Sequence, residues 1–122
     1  SEMCIRDRFE TFDLAVKKYP DAHPLFHSDR GFQYTSKLFK AKLDKQGMEQ
    51  SMSRVGRCID NGPMEGFWGI LKCEMYYLNQ FETYEKLASA VEQFIYYYNH
   101  QRRQHKLNCL PPATYRSLLE AA

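Results

Sequence analysis

Apolar residues recur at three- and four-residue steps through Phe9, Phe12, Val16 and Tyr19, a spacing that predicts a helix over 9–19. Pro20 and Pro24 end it, because proline removes a backbone donor and restricts the residue before it. Leu25-Phe26-His27-Ser28 is a short, partly apolar run entering Asp29-Arg30-Gly31, the profile of a buried strand that closes in a turn. Ser36 is placed to cap a second helix reaching Gln46, with Leu38, Phe39 and Leu43 on one side and Gly47 as its stop. Positions 48–53 then alternate apolar and polar, as a strand does. Strand, helix and strand joined by tight links imply parallel pairing through a crossover.

The next segment, 54–61, has no clear period and reads as a loop. A long helix is predicted from Asn61, with Pro63 in its first turn, where a missing N–H costs little. Met64, Phe67, Trp68, Leu71, Met75 and Leu78 form its apolar stripe, and Trp68 is expected in the core. Thr83 caps a further helix with the stripe Tyr84, Leu87, Ala90, Val91, Phe94, Ile95 and Tyr98. Pro111-Pro112 introduces a last short helix through Leu119. The inventory is four to five helices and two strands. A lone pair of parallel strands is a marginal sheet, so the fold is either mostly helical or an α/β fold short of strands.

Composition narrows the class more than the function. The 122 residues suit one domain, and 43% hydrophobic with 26% charged residues excludes a disordered or collagen-like chain. No apolar run approaches the roughly 18 residues of a membrane span, and no secretory leader is visible at the start, so a cytoplasmic protein with no membrane partner is expected. Cys4, Cys58, Cys73 and Cys109 are scattered, without a Cys-x-x-Cys pair, and are expected to be reduced. His23 and His27 have half the spacing of a zinc site but no nearby cysteine pair to complete it. The net charge of +2 identifies no partner, so any case for nucleic acid rests on where the charges lie.

Two positions bring chemistry to this frame. Asp29 falls where the carboxyl end of a strand opens into a crevice, the usual ligand position of α/β sheets. Glu65 falls in the first turn of the long helix, and Gly69, Lys72 and Tyr76 share its face. A carboxylate and an ammonium on one flank can hold a divalent cation and a phosphate side by side, and hard cations such as Mg2+ choose carboxylate oxygens. Gly66 and Gly69 remove bulk beside Glu65. The bland alternative is an acidic helix start that complements the helix dipole.

The run His27-Ser-Asp-Arg-Gly-Phe-Gln-Tyr-Thr-Ser36, followed by Asp60-Asn-Gly-Pro-Met-Glu-Gly-Phe-Trp-Gly-Ile-Leu-Lys72, resembles DDE-type insertion-sequence transposases with a retroviral-integrase-like catalytic core. That family has an Asp, Asp, Glu triad with 35 residues between the last two and a basic residue seven positions beyond the Glu; Asp29, Glu65 and Lys72 match those positions. Tyr98-Asn99, Arg102-Arg103, His105, Leu107, Pro111 and Tyr115-Arg116 resemble the same family's C-terminal signature. The resemblance implies a ribonuclease-H-like fold, with a mixed five-stranded sheet flanked by helices. Its first Asp lies on the first strand, and no acid before Asp29 sits in such a context. The expectation is therefore a truncated α/β ribonuclease-H-like core with two retained parallel strands. Residues 1–8 fit no family element and are read as a foreign or disordered junction, 9–106 as the partial catalytic core and 107–122 as a helical extension.

For the intact protein the resemblance implies transposition: Mg2+- or Mn2+-dependent cleavage and strand transfer of mobile-element DNA ends, with two ions held by the triad. Asp29 and Glu65 become the catalytic and metal-binding residues of this chain. Lys72, Arg54, Arg57, Arg102 and Arg103 become its DNA contacts, though cations at a helix end also serve the dipole. DNA and a homo-oligomeric partner in the intact protein, acting at the bacterial nucleoid, complete the picture. The alternative is a non-catalytic DNA-binding or vestigial fragment that lacks the first Asp and is inactive alone. A ribonuclease-H-type nuclease that never joins strands is disfavoured by the C-terminal signature.

Overall fold

A computed structural model describes residues 2–122, with side chains from residue 5 onward. The chain divides into two compact units, Ser1–Met64 and Glu65–Ala122. Among the described residues there are six α-helices and a two-stranded sheet, and none of the helices is long and apolar enough to cross a membrane.

The first unit holds α1 (Glu2–Lys18), β1 (Phe26–Ser28), α2 (Phe32–Thr35), α3 (Lys37–Lys45) and β2 (Gln50–Met52). Helix α1 begins seven residues before the predicted start, so residues 2–8 are helical rather than irregular; Arg6 and Glu10 support that turn as an i,i+4 ion pair at 2.9 Å. The strands pair in parallel as predicted, with Phe26 opposite Gln50 and Ser28 opposite Met52. α3 starts on its predicted cap, where the Ser36 hydroxyl accepts from the Phe39 amide at 3.2 Å. It stops at Gly47, whose φ of +65° suits a residue without Cβ.

Phe39 organises this unit's core. Its ring centroid lies 5.6 Å from Phe9, 5.5 Å from Phe12, 5.2 Å from Phe26 and 5.4 Å from Tyr34, mostly in tilted or edge-on arrangements. Leu43 and Met48 complete the cluster. The predicted buried strand is covered on one side only: Ser28 is buried, whereas Leu25 and His27 are exposed. Two strands with helices packed through Phe26 leave the other face of the sheet open.

The second unit holds most of α4 (Gly62–Leu71), α5 (Tyr84–His100) and α6 (Pro112–Glu120). The predicted single helix from Asn61 to Leu78 is interrupted. After Leu71 the chain widens into a π-helical turn over Lys72–Tyr76, closed by the Tyr77 amide on the Lys72 carbonyl at 2.9 Å. α5 starts at Thr83, whose hydroxyl accepts from the Lys86 amide at 3.2 Å. Leu71, Met75 and Phe94 form the core, flanked by Phe67, Ile70, Phe81, Val91 and Tyr98.

Trp68 is not part of that core and is 44% exposed; Met64, Leu78 and Tyr84 are exposed too. The covered stripe of α4 centres on Phe67, Ile70 and Leu71, which places Trp68 roughly 100° around the helix from the packed seam. Periodicity identified an apolar face of the right width but centred it too far toward Trp68.

Candidate functional site

In the first unit, Asp29 follows β1 directly and is exposed. Its Oδ1 accepts from the Gly31 amide at 2.8 Å, which turns the chain out of the strand. A Cβ on Gly31 would lie 3.0 Å from that oxygen and 2.6 Å from Gln33 Nε2, so glycine keeps the carboxylate in place. Arg30 Nε donates to the Ser53 carbonyl at 2.8 Å and ties the turn to the end of β2.

His27 shares this end of the sheet. Its Nδ1 lies 3.0 Å from Ser51 Oγ and its Nε2 3.3 Å from Ser53 Oγ. Both ring nitrogens are engaged, so His27 acts here as a cross-strand tie. The two serines escaped the sequence reading, although the parallel register that sets His27 opposite Ser51 would have found one of them.

Arg54 and Asp60 form a closed pair in the loop between β2 and α4. Arg54 Nε and Nη2 donate to Asp60 Oδ2 and Oδ1 at 2.9 and 2.8 Å, and the Arg54 amide donates to Oδ2 at 2.9 Å. These bonds hold the Asp60 carboxyl well below the usual range and push the Arg54 guanidinium up. Asp60 lies in a 3-10 turn (Cys58–Asn61) and spends its oxygens on Arg54. Arg57 is exposed in the same loop.

In the second unit, Glu65 lies in the first turn of α4 and Lys72 begins the π-helical turn. Both are exposed, and the seven-residue spacing returns them to nearly one azimuth, as predicted. The Glu65 carboxylate makes no hydrogen bond or ion pair with the described residues. Ideal Cβ atoms on Gly66 and Gly69 would meet nothing within 4 Å, so the helix backbone beside Glu65 is open to a ligand.

Arg102 has a role that spacing did not reveal. Its Nε lies 3.0 Å from both Glu74 oxygens and its Nη2 2.6 Å from Oε1, while the guanidinium sits 5.7 Å from the Tyr98 ring centroid. The pairing lowers the Glu74 pKa and raises that of Arg102. Tyr98 in turn meets Phe67 edge-on at 4.9 Å. The C-terminal motif thus braces α4 from below: Glu74, Arg102, Tyr98 and Phe67 form one continuous contact path. With its donors committed to Glu74, Arg102 is poorly disposed to hold a DNA phosphate, whereas Arg103 and Lys106 are exposed.

The metal question turns on donors. Asp29 and Glu65 offer hard oxygen atoms of the kind Mg2+ or Mn2+ prefers, one in each unit. They are one carboxylate short of the implied triad, and no group of three His, Cys, Asp or Glu side chains suited to a metal occurs among the described residues. Cys58, Cys73 and Cys109 are free and exposed; the Cys4 side chain lies outside the described residues.

Comparison with known proteins agrees with this layout. Residues 65–118 match the integrase core domain family. An uncharacterized transposase-like protein of Haemophilus influenzae is 46% identical over 103 residues, covering 84% of this chain and 48% of the relative. A proposed transposase of insertion sequence element IS150 from Escherichia coli is 44% identical over 106 residues, 86% of this chain and 38% of the relative. The transposase of element IS904 from Lactococcus lactis is 35% identical over 101 residues, 83% of this chain and 39% of the relative. The chain spans less than half the length of each of these relatives. By these matches, and by the motif residues they span, the chain belongs to the insertion-sequence transposases with an integrase-type core.

Proposed function

We propose that this chain is part of a protein that cuts and joins DNA at the ends of a mobile element. The observation that carries the reading is that Glu65 on α4 and Lys72 at the start of the π-helical turn are both exposed, at a seven-residue spacing that sets them on one flank within the segment that matches the integrase core. By the family resemblance, Asp29 and Glu65 are each assigned as ligands of divalent cations, Mg2+ or Mn2+, in the intact protein. When bound, such an ion activates water or a 3′-hydroxyl and stabilises the leaving oxygen of a phosphodiester. Lys72, two turns along the same face from Glu65, binds the neighbouring phosphate. Arg57, Arg103 and Lys106 add non-specific attraction to the backbone. Arg54 and Arg102 act instead as positioning residues through Asp60 and Glu74. In the cell the intact protein works on nucleoid DNA as a homo-oligomer.

A second reading is favoured by the short donor set: the chain alone binds DNA without joining it. Anisotropy titrations of a labelled duplex test the shared claim. Lys72→Ala should weaken binding and reduce the slope of log affinity against log salt by about one. An unchanged slope would remove Lys72 from the interface. A Mg2+-dependent strand-transfer assay separates the two readings, since product formed by this chain and lost in Glu65→Gln would defeat the non-catalytic one.

A further inference from the structure

The only tryptophan of the chain stands where the sequence pattern does not put it. Trp68 lies on α4 between Glu65, three residues before it, and Lys72, four residues after it, and 44% of its surface is exposed. Residues at those spacings are neighbours on a helix surface. The indole does not lie loose on that surface. It meets Phe67 edge-on at 5.3 Å, and Phe67 is locked by Tyr98 and Phe94, at 4.9 and 6.4 Å. A Cβ on Gly69, the next residue, would meet nothing within 4 Å outside its chain neighbours, and Tyr76 carries a further exposed aromatic ring beyond Lys72.

A half-exposed indole carries no net charge and offers a flat π-surface. Glu65 and Lys72 offset one another, so the face carries little net field to draw a strand in by charge alone. A phosphate on Lys72 would nonetheless put an adjoining nucleotide within reach of the helical neighbour four residues back. We propose that Trp68 is a stacking platform for an unpaired nucleobase of the DNA strand whose phosphate Lys72 holds. This rests on the DNA-binding reading above and adds to it a residue that recognises a base removed from its stack. Base-on-aromatic stacking tolerates any sequence, so the contact favours frayed or distorted DNA over a given base.

Because Trp68 is the sole tryptophan, its emission reports on the contact directly. The chain is titrated with a fluorophore-labelled single-stranded oligonucleotide and with the same strand carrying abasic sites, while anisotropy records binding and Trp68 emission records stacking. Expected is strong quenching by the base-bearing strand and none by the abasic strand once both are bound. Trp68→Ala should weaken the base-bearing strand about tenfold, leave the abasic strand and the salt slope unchanged, and be largely rescued by Trp68→Phe. Circular dichroism of both variants checks that α4 still folds. Unchanged emission at saturating DNA, or equal losses for both strands in Trp68→Ala, would overturn the proposal and leave this face to a protein segment. Absence of any anisotropy change at low salt would instead overturn the DNA-binding reading itself, and the stacking role with it.

Discussion

Glu74 and Arg102 provide the sharpest test of how the second unit holds α4 in place. Three charge-assisted contacts of 2.6–3.0 Å join them, and their side chains are 36% and 22% exposed. A fully exposed pair contributes about 0.2–1 kcal/mol, and breaking a fully buried one costs about 3–5 kcal/mol. A bidentate fork at intermediate exposure should fall between them, with a coupling of about 1–2 kcal/mol after solvent screening. Arg102→Ala also removes the contact with Tyr98, about 0.5–1 kcal/mol more. Arg102→Ala should therefore destabilise more than Glu74→Gln, and the double variant should be little worse than Arg102→Ala alone. Urea unfolding followed by Trp68 emission reads the second unit directly, and the four proteins complete a double-mutant cycle. Because the Glu74 pKa is lowered on folding, the stabilisation is present above the ordinary glutamate pKa and is lost as pH falls through the folded value. The coupling should therefore be full at pH 7 and fade below about pH 4. A coupling below about 0.3 kcal/mol at pH 7, or one unchanged at the acid end, would refute the brace. Arg102→Ala should also leave the salt slope of DNA binding unaltered, which separates a brace from a phosphate contact.

Two further outcomes bear on the first unit. Leu43 is 0% exposed at the centre of the cluster around Phe39, so Leu43→Ala should cost about 2–5 kcal/mol by calorimetry or urea titration; a loss under about 1 kcal/mol would mean that the core collapses to fill the cavity. The Asp60 carboxyl, depressed by Arg54, adds stability above the ordinary aspartate pKa that disappears as pH falls through its folded value. The wild-type chain should thus lose stability more steeply than Asp60→Asn below about pH 4, and parallel pH profiles would argue that the loop closes without this pair.

Local physics carried the sequence reading a long way. Hydroxyl caps at Ser36 and Thr83, the positive φ at Gly47 and the strand, helix, strand order are decided within a few residues, so they are legible without coordinates. The seven-residue step from Glu65 to Lys72 is legible for the same reason: helical geometry converts spacing into a shared face. Parallel pairing followed from the helical crossover that joins the two strands through tight links. Asp29, at the end of a short strand and before a glycine, could be placed in its turn from the chain itself.

What only the tertiary structure decided concerns partners distant in sequence. Arg102 and Glu74 are 28 positions apart, and nothing in either segment says that one guanidinium will spend its donors on the other's carboxylate. The rotation of the α4 seam toward Phe67 depends on where Tyr98 and Phe94 arrive, and the π-helical turn after Leu71 carries the buried Met75 of that core. Hydrophobic periodicity measures the width of an apolar face; the packing partner selects which part of it is covered. Trp68 fell on the uncovered part, so the chain alone could mark it as apolar, and only the packing of α5 could leave it exposed.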